Sequence, residues 1–158
     1  MESLPDSARR VAEAAAARGL TIRISEMPAS TRTAEEAAAA CGCSVAEIVK
    51  SLIFLGVETG RPYLLLVSGE NRVDEKAIAA VLGEALTRPD AGRVRALTGY
   101  AIGGIPPLGH PAPLDTLIDR RLLDFAEVWA AAGTPRCVFA VAPQALMAAT
   151  GARPATFG

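Results

Sequence analysis

The sequence has little of what a membrane protein or a metalloenzyme needs. None of its apolar stretches approaches the roughly 20 residues of a membrane-spanning helix. Its first seven residues lack the basic and apolar regions of a secretion signal. It contains one histidine, His110, so metal centres that require two histidines, including those of most zinc hydrolases, are excluded. We therefore expect a cytoplasmic protein without membrane contact.

Cysteine is scarce as well. The three cysteines, Cys41, Cys43 and Cys137, are an odd number and show no C-x-x-C spacing. This pattern is typical of a reducing compartment, where cysteines pack as small hydrophobic residues. We predict no metal and no cofactor. A zinc site formed by Cys41, Cys43 and His110, or a redox role of the cysteines, is the alternative.

An excess of charge of one sign is also missing. Sixteen basic and 17 acidic side chains leave a net charge of −1. A near-neutral chain has no overall positive field to attract nucleic acid, so any contact with RNA needs a local patch or a pocket.

The chain contains enough apolar material for one core. About half of the residues (51%) are hydrophobic, the mean hydropathy is +0.29, and we find no repeat or linker. We therefore expect a single domain over residues 1–158. Periodicity, caps and turn residues predict helices at 7–18, 34–41, 74–82 and 143–150, a further short segment at 91–97, and strands at 20–25, 51–57, 62–67, 116–119 and 136–141. Residues 128–132 fit either a helix or a strand, and the turn after them favours a hairpin.

These elements predict a fold of the α/β class, of the α+β type. We expect a mixed, mostly antiparallel sheet that curls toward a barrel, with helices packed outside it.

Lys50 stands at the head of the apolar run 49–55. It fits a lysine of an edge strand, whose stem packs while its ammonium group reaches water. It equally fits a cleft residue that binds a carbonyl, phosphate or ribose group, or that acts as a base if burial lowers its pKa. Spacing alone does not choose between these interpretations.

A second unusual segment, residues 99–110, contains four glycines, two prolines and His110. It fits a tight surface turn. It also fits a rigid loop whose backbone amides approach a ligand closely, as in a preorganised oxyanion site. His110 is interpreted either as a wall of such a pocket or as a proton-transfer group. No serine carries a nucleophile-elbow sequence, which argues against a Ser-His-Asp triad.

Two further turns could contact a ligand. Ser68 and Gly69 begin a strand-to-helix turn in which Asp74 caps the helix, and ligands often bind at strand ends. Thr31 and Arg32 precede the capping box of Thr33 and Glu36, and Arg32 could meet a phosphate.

Four motifs follow one another in the order T-R-T-A-E-E-A-A, I-V-K-S-L-I-F, S-G-E-N-R-V-D and G-Y-A-I-G-G-I-P-P-L-G-H. In this order the sequence resembles the YbaK/EbsC-type family of aminoacyl-tRNA deacylases, which is related to the editing domain of bacterial prolyl-tRNA synthetases. The resemblance covers about residues 21–150 and implies a stand-alone, trans-editing protein with the YbaK-like fold.

The resemblance also implies roles for individual residues. Lys50 takes the place of the signature lysine, which positions the aminoacyl-ester end of the tRNA and is the expected catalytic residue. The loop from Gly104 to Pro107 takes the place of the G-x-x-P motif, whose amides hold the ester carbonyl oxygen or the amino acid. Many relatives have serine or threonine where this chain has Pro106. The expected substrate-binding residues are Thr31, Arg32, Ser68, Gly69, Gly103, Gly104, Pro107 and His110.

The activity implied is hydrolysis of the ester of a mischarged tRNA that carries a small amino acid. Alanine, cysteine, threonine or 2-aminobutyrate on tRNA for proline are the expected substrates. The expected partners are the acceptor end of the tRNA and prolyl-tRNA synthetase, and the expected state is a monomer or weak homodimer. The alternative is a non-catalytic module of the same fold that binds tRNA or a nucleotide.

Overall fold

The computed structural model describes residues 4–157, which form one open, mixed sheet with helices against it. The α-helices are α1 (Asp6–Ala17), α2 (Ala34–Cys41), α3 (Glu75–Leu82), α4 (Ala91–Thr98) and α5 (Pro143–Thr150). Short 3-10 helices cover Val45–Glu47 and Arg120–Asp124. The strands are β1 (Ile24–Glu26), β2 (Ile48–Gly56), β3 (Pro62–Ser68), β4 (Leu86–Thr87), β5 (Asp115–Asp119), β6 (Val128–Ala131), β7 (Cys137–Val141) and β8 (Arg153–Ala155).

The strands follow the order β1-β7-β6-β2-β3-β5-β8, and β4 adds to β2 outside this path. Within residues 4–157, four strand pairings are antiparallel and three, β2 with β6, β3 with β5 and β5 with β8, are parallel. The predicted mixed fold is confirmed, with an open sheet rather than a closed barrel. No helix among the described residues is long and apolar enough to span a bilayer.

The central hairpin of β2 and β3 is covered on both faces. Leu64 and Leu66 of β3 belong to the larger apolar core, which includes residues of α1 and α5. Leu65 and Val67 point to the other face and pack with Ile78 of α3. Burial on both faces explains why these strands are apolar without alternation, as the sequence predicted.

The start of α2 is fixed by the predicted capping box. The Thr33 hydroxyl accepts a hydrogen bond from the Glu36 amide at 3.1 Å, and the Glu36 carboxylate accepts one from the Thr33 amide at 3.2 Å. Gly42, with a φ of 69°, ends the helix. Residues 31–35 are thereby held in a defined position beside the first residues of β2, which α2 contacts.

One strand prediction was wrong in extent, and two strands were not predicted. The strand expected at 20–25 is reduced to Ile24–Glu26, because the Leu20 amide donates to the Ala15 carbonyl and caps α1 instead of joining the sheet. The two-residue β4 and the edge strand β8 were not predicted. Pro154 in β8 and the shortness of β4 hide the alternation that reveals a strand.

Candidate active site

A cleft of about 590 Å³ opens where β2 begins. Its walls come from the start of α2, the turn after β3, the glycine-rich loop after α4 and strand β6. Six charged side chains line it: Arg32, Glu35, Lys50, Glu70, Arg72 and Arg88. Apolar side chains line it as well, among them Ile53, Ile105 and Val138. The cleft therefore offers positive charge together with an apolar surface.

Lys50 lies inside this cleft on an internal strand. At this position β2 pairs with β3, with Lys50 opposite Val67, and its preceding residues pair with β6. Because β2 lies between β6 and β3 in the sheet, Lys50 does not belong to an edge strand. The side chain is half-buried, and its Nζ donates a hydrogen bond to the main-chain carbonyl of Asn71 at 2.5 Å. Burial lowers the pKa of Lys50. The negative charge of Glu35 opposes this effect, and Arg72 adds to it.

The carbonyl that receives this bond is held by a buried carboxylate, Asp119. Oδ2 of Asp119 accepts from the Asn71 side-chain amide at 2.9 Å and from the Ser68 main-chain amide at 3.1 Å. Its Oδ1 accepts from the Arg121 amide at 3.0 Å. Asp119 is only 2% exposed, so this arrangement is shielded from water. It fixes the turn after β3, and through that turn it fixes the position of the Lys50 ammonium group.

Four of the predicted substrate-binding residues line the cleft together with Lys50: Thr31, Arg32, Gly69 and Gly103. The Thr31 hydroxyl donates to the Pro135 carbonyl at 2.9 Å and is therefore engaged within the fold. Gly103 has a φ of 93°, and a Cβ there would lie 2.6 Å from Cγ of Arg32. Glycine at this position lets the stem of Arg32 pass along the cleft wall.

The other four predicted residues lie outside the lining of the cleft. Ser68 is fully buried, and its hydroxyl donates to the Ala46 carbonyl at 2.7 Å. The Gly104 amide donates to the Ala101 carbonyl at 3.0 Å, and a Cβ on Gly104 would lie 2.7 Å from the Thr134 backbone. Pro107 and His110 line a separate cavity of about 70 Å³. Ser68 on β3 lies opposite Val49, next to Lys50, but it is buried beneath the cleft, whereas the structure does not place Gly104, Pro107 and His110 in the lining around Lys50.

His110 is part of the packing of its own loop. One ring nitrogen, Nε2, lies 2.9 Å from the Pro106 carbonyl oxygen, and the ring meets Tyr100 edge-on. Nδ1 is buried and has no hydrogen-bond partner in the described part of the chain. Burial lowers the pKa of His110, which favours the neutral ring. These contacts fit a loop residue better than a group that exchanges protons with a substrate in the cleft.

The cysteines do not form a centre within residues 4–157. All three are free thiols, and burial together with the nearby Cys43 raises the pKa of Cys41 to about 11. A thiol with such a pKa remains protonated near neutral pH and is a weak nucleophile. No group of three or more histidine, cysteine or acidic residues in the described chain could hold a metal ion.

Several cleft residues were missed by sequence reasoning. Glu35, Asn71, Arg72, Arg88 and Trp129 line the cleft, although no sequence motif singled out Arg88 or Trp129 as ligand-binding residues. Asp119 lies behind the cleft at the end of β5. An acidic residue that ends a buried apolar strand was the available signal for it, since a buried carboxylate needs hydrogen-bond donors around it.

Comparisons with known proteins give a consistent picture. A family model described as an aminoacyl-tRNA editing domain matches residues 28–149. A solved structure described as a candidate trans-editing enzyme for prolyl tRNA synthetase is 50% identical, with 98% of each chain covered and a TM-score of 0.92. YwhH of Bacillus subtilis (strain 168) is 29% identical over 123 residues, which is 78% of each protein. EbsC of Enterococcus faecalis (strain ATCC 700802 / V583), named as a candidate Cys-tRNA(Pro)/Cys-tRNA(Cys) deacylase, is 27% identical over 113 residues, 69% of this chain and 66% of that protein.

Proposed function

The chain belongs to the aminoacyl-tRNA editing domain family, and on this basis we propose that it is a trans-editing deacylase. It would hydrolyse the ester that joins a wrong, small amino acid to the 3′ ribose of a tRNA. The observation that carries this proposal is the concentration of positive charge around Lys50 in a chain whose net charge is negative.

The charge of the cleft is opposite to that of the whole protein. Four cationic residues, Arg32, Lys50, Arg72 and Arg88, and two carboxylates, Glu35 and Glu70, line it. The chain as a whole carries 16 basic and 17 acidic side chains. This is the local patch that a near-neutral protein needs in order to bind an RNA end. Guanidinium groups suit phosphate oxygens in particular.

The proposed chemistry is attack of a water molecule on the ester carbonyl. The reaction passes through a tetrahedral intermediate whose oxygen carries negative charge, and a fixed positive donor stabilises that charge. Collapse of the intermediate breaks the bond to the ribose oxygen, which takes up a proton from the attacking water, and releases the free amino acid. Lys50 fits this task because the hydrogen bond to Asn71 holds its ammonium group in place. It would act by positioning and by its charge rather than as a base. The free hydroxyl of the ribose can help to orient the water.

The amides of the glycine-rich loop take a smaller part than the resemblance implied. The Gly104 amide is already bonded to Ala101, so we assign the loop's contact with the substrate to the backbone of Gly103. The neighbouring Ile105 and Val138 supply the apolar surface on which a small side chain would rest. Exclusion by size is the expected basis of selectivity, because attraction for one methylene group discriminates only about 10- to 200-fold.

Two relatives support tRNA for proline as the substrate. One is described as acting for prolyl tRNA synthetase, and the name of the other includes Cys-tRNA(Pro). We therefore propose alanine, cysteine, threonine and 2-aminobutyrate on this tRNA as the substrates, with prolyl-tRNA synthetase as a partner that supplies them.

A panel of mischarged tRNAs tests the proposal. We expect the protein to accelerate hydrolysis of at least one of these four esters on tRNA for proline, and to leave correctly charged prolyl-tRNA intact. Binding to the same panel is measured in parallel. Tight binding without turnover for every member would contradict the deacylase and would indicate the non-catalytic module.

A further inference from the structure

Two carboxylates, Glu35 and Glu70, lie in a cleft that is otherwise suited to anions, and they differ in their ion pairing. Glu70 accepts a hydrogen bond from Nε of Arg121 at 2.5 Å, so its charge is compensated by the protein. The ion pairs and side-chain hydrogen bonds within residues 4–157 do not include Glu35. Of the two carboxylates that line the cleft in the described chain, Glu35 is thus the one without a cationic group within 4 Å.

The position of Glu35 is defined by its helix. It stands in the first turn of α2, next to the capping box formed by Thr33 and Glu36. Its neighbours Ala34 and Ala37 are buried, and they line the same cleft as Lys50. Among the charged groups around Lys50, Glu35 has the largest effect, and it raises the pKa of that lysine against the effect of burial. The two charges therefore line the same cleft and act on each other.

A carboxylate in a cleft that is proposed to bind phosphates repels those phosphates, whereas it attracts a positive charge. An aminoacyl-tRNA supplies one such charge near its ester. Its α-ammonium group is attached to the carbon next to the ester carbonyl, whereas the phosphates and the riboses of the acceptor end carry no positive charge. The other carboxylate near Lys50, Asp119, is already engaged with three N–H donors behind the cleft.

Building on the proposed deacylase function, we propose that Glu35 binds the α-ammonium group of the aminoacyl ester while Lys50 holds the ester end. Glu35 is then a determinant of specificity, because it selects esters that have a free amino group. Esters whose amino group is acylated, such as the ends of peptidyl-tRNAs, lack the positive charge and are disfavoured. The protein would thereby remove single amino acids and spare growing peptides.

The sharpest test compares two esters of equal size. Alanyl-tRNA carries the α-ammonium group, and lactyl-tRNA carries a neutral hydroxyl in its place. We measure kcat/KM for both at a pH of about 6, below the ordinary pKa of an α-amino group, and divide each value by the rate of spontaneous hydrolysis. The wild-type protein should prefer the alanyl ester by about two- to fivefold, as expected for an exposed ion pair.

Glu35→Gln keeps the size of the side chain and removes its charge. This variant should reduce the preference to about one, through a slower reaction of the alanyl ester and little change for the lactyl ester. Glu70→Gln is the matched control and should keep the wild-type preference. Two results would overturn the proposal: an equal fall of kcat/KM for both esters in Glu35→Gln, or an unchanged preference for the alanyl ester. Either result would mean that Glu35 does not contact the α-ammonium group and acts only on the fold or on the charge of Lys50.

Binding separates this inference from the deacylase itself. In a non-hydrolysable pair, a 3′-amino group replaces the ester oxygen and carries either an alanyl or a lactyl group. The wild-type protein should bind the alanyl form more tightly, by about two- to fivefold, and Glu35→Gln should bind both forms equally. Absence of hydrolysis would refute the proposed function alone, whereas equal binding of both forms by the wild type would refute the role of Glu35.

Discussion

At the scale of single residues, the protonation state of Lys50 is the critical property. Burial lowers its pKa, and the hydrogen bond to the Asn71 carbonyl engages its ammonium group. A lysine that acts through its charge must stay protonated. Activity should therefore be present at neutral pH and should decline as the pH rises through the lowered pKa, earlier than an ordinary lysine with a pKa of about 10.4 would dictate.

This titration can be observed directly, because the chain has two lysines, Lys50 and Lys76. In protein labelled with 13C-lysine, the side-chain signal that Lys50→Arg removes should titrate below pH 10.4. The pH at which activity declines should follow the same curve. A Lys50 signal that titrates at or above the ordinary value would mean that the side chain is not desolvated as the structure indicates.

At the scale of elements, the turn between β3 and α3 positions the site. Asp119, at the end of β5, fixes this turn through Ser68 and Asn71. The contact joins a strand end to a turn about 50 residues earlier in the chain, so neither local segment reveals it. The turn therefore acts as a positioning device for Lys50 rather than as a simple connection.

Asn71→Ala tests this role. The change removes the side-chain bond to Asp119 and leaves the main-chain carbonyl that accepts from Lys50. One lost hydrogen bond of about 1 to 1.5 kcal/mol should slow the single-turnover rate by about tenfold. The melting temperature should change by a few degrees only, because Asp119 keeps two main-chain donors.

A double mutant distinguishes positioning from folding. In the Lys50→Ala background, Asn71→Ala should have no further effect on the rate, since residues that act through one another are not additive. If the rate losses of the two substitutions instead multiply, Asn71 contributes independently of Lys50, and the positioning role is contradicted.

The elements also show what the sequence could predict. Local signals were sufficient for α2, α3 and α5, because Thr33, Asp74 and Pro143 mark helix starts, and Gly42, Gly83 and Gly151 follow their last residues. They were insufficient for the glycine-rich loop. Which of its residues face the cleft depends on contacts with residues distant in sequence. Gly103 packs against Arg32, and Gly104 packs against Thr134. For this reason Gly103 reaches the cleft while Gly104, Pro107 and His110 do not.

At the scale of the whole molecule, stability and function occupy different regions. Glu84 accepts hydrogen bonds from the Glu58 and Thr59 amides at 3.0 Å, from the Thr59 hydroxyl at 2.7 Å and from the Tyr63 hydroxyl at 2.6 Å. This carboxylate ties the β2–β3 turn to the segment after α3, and it does not line the cleft. These hydrogen bonds, chiefly the one from Tyr63, lower the pKa of Glu84 to about 2.

A carboxylate pKa that is lower in the folded protein than in the unfolded chain makes the free energy of unfolding depend on pH. The contribution of Glu84 is complete above the pKa of the unfolded chain, about 4.3, and it is lost as the pH falls toward the folded value of about 2. We expect the free energy of unfolding, measured by urea denaturation, to fall across this interval. In Glu84→Gln it should be lower at pH 7 and should fall less steeply with acid. An identical pH profile in both proteins would show that Glu84 is not anchored as described.

Hydrolysis of a mischarged tRNA by Lys50→Ala, compared with Lys76→Ala, tests the central claim most directly. Lys76 is the other lysine of the chain and is exposed on α3, away from the cleft lining. With alanyl- or cysteinyl-tRNA for proline under single-turnover conditions, Lys50→Ala should lose about 100-fold or more of the rate, and Lys76→Ala should match the wild type. Both variants should keep the wild-type circular dichroism spectrum. A folded Lys50→Ala protein that deacylates at the wild-type rate would contradict the account.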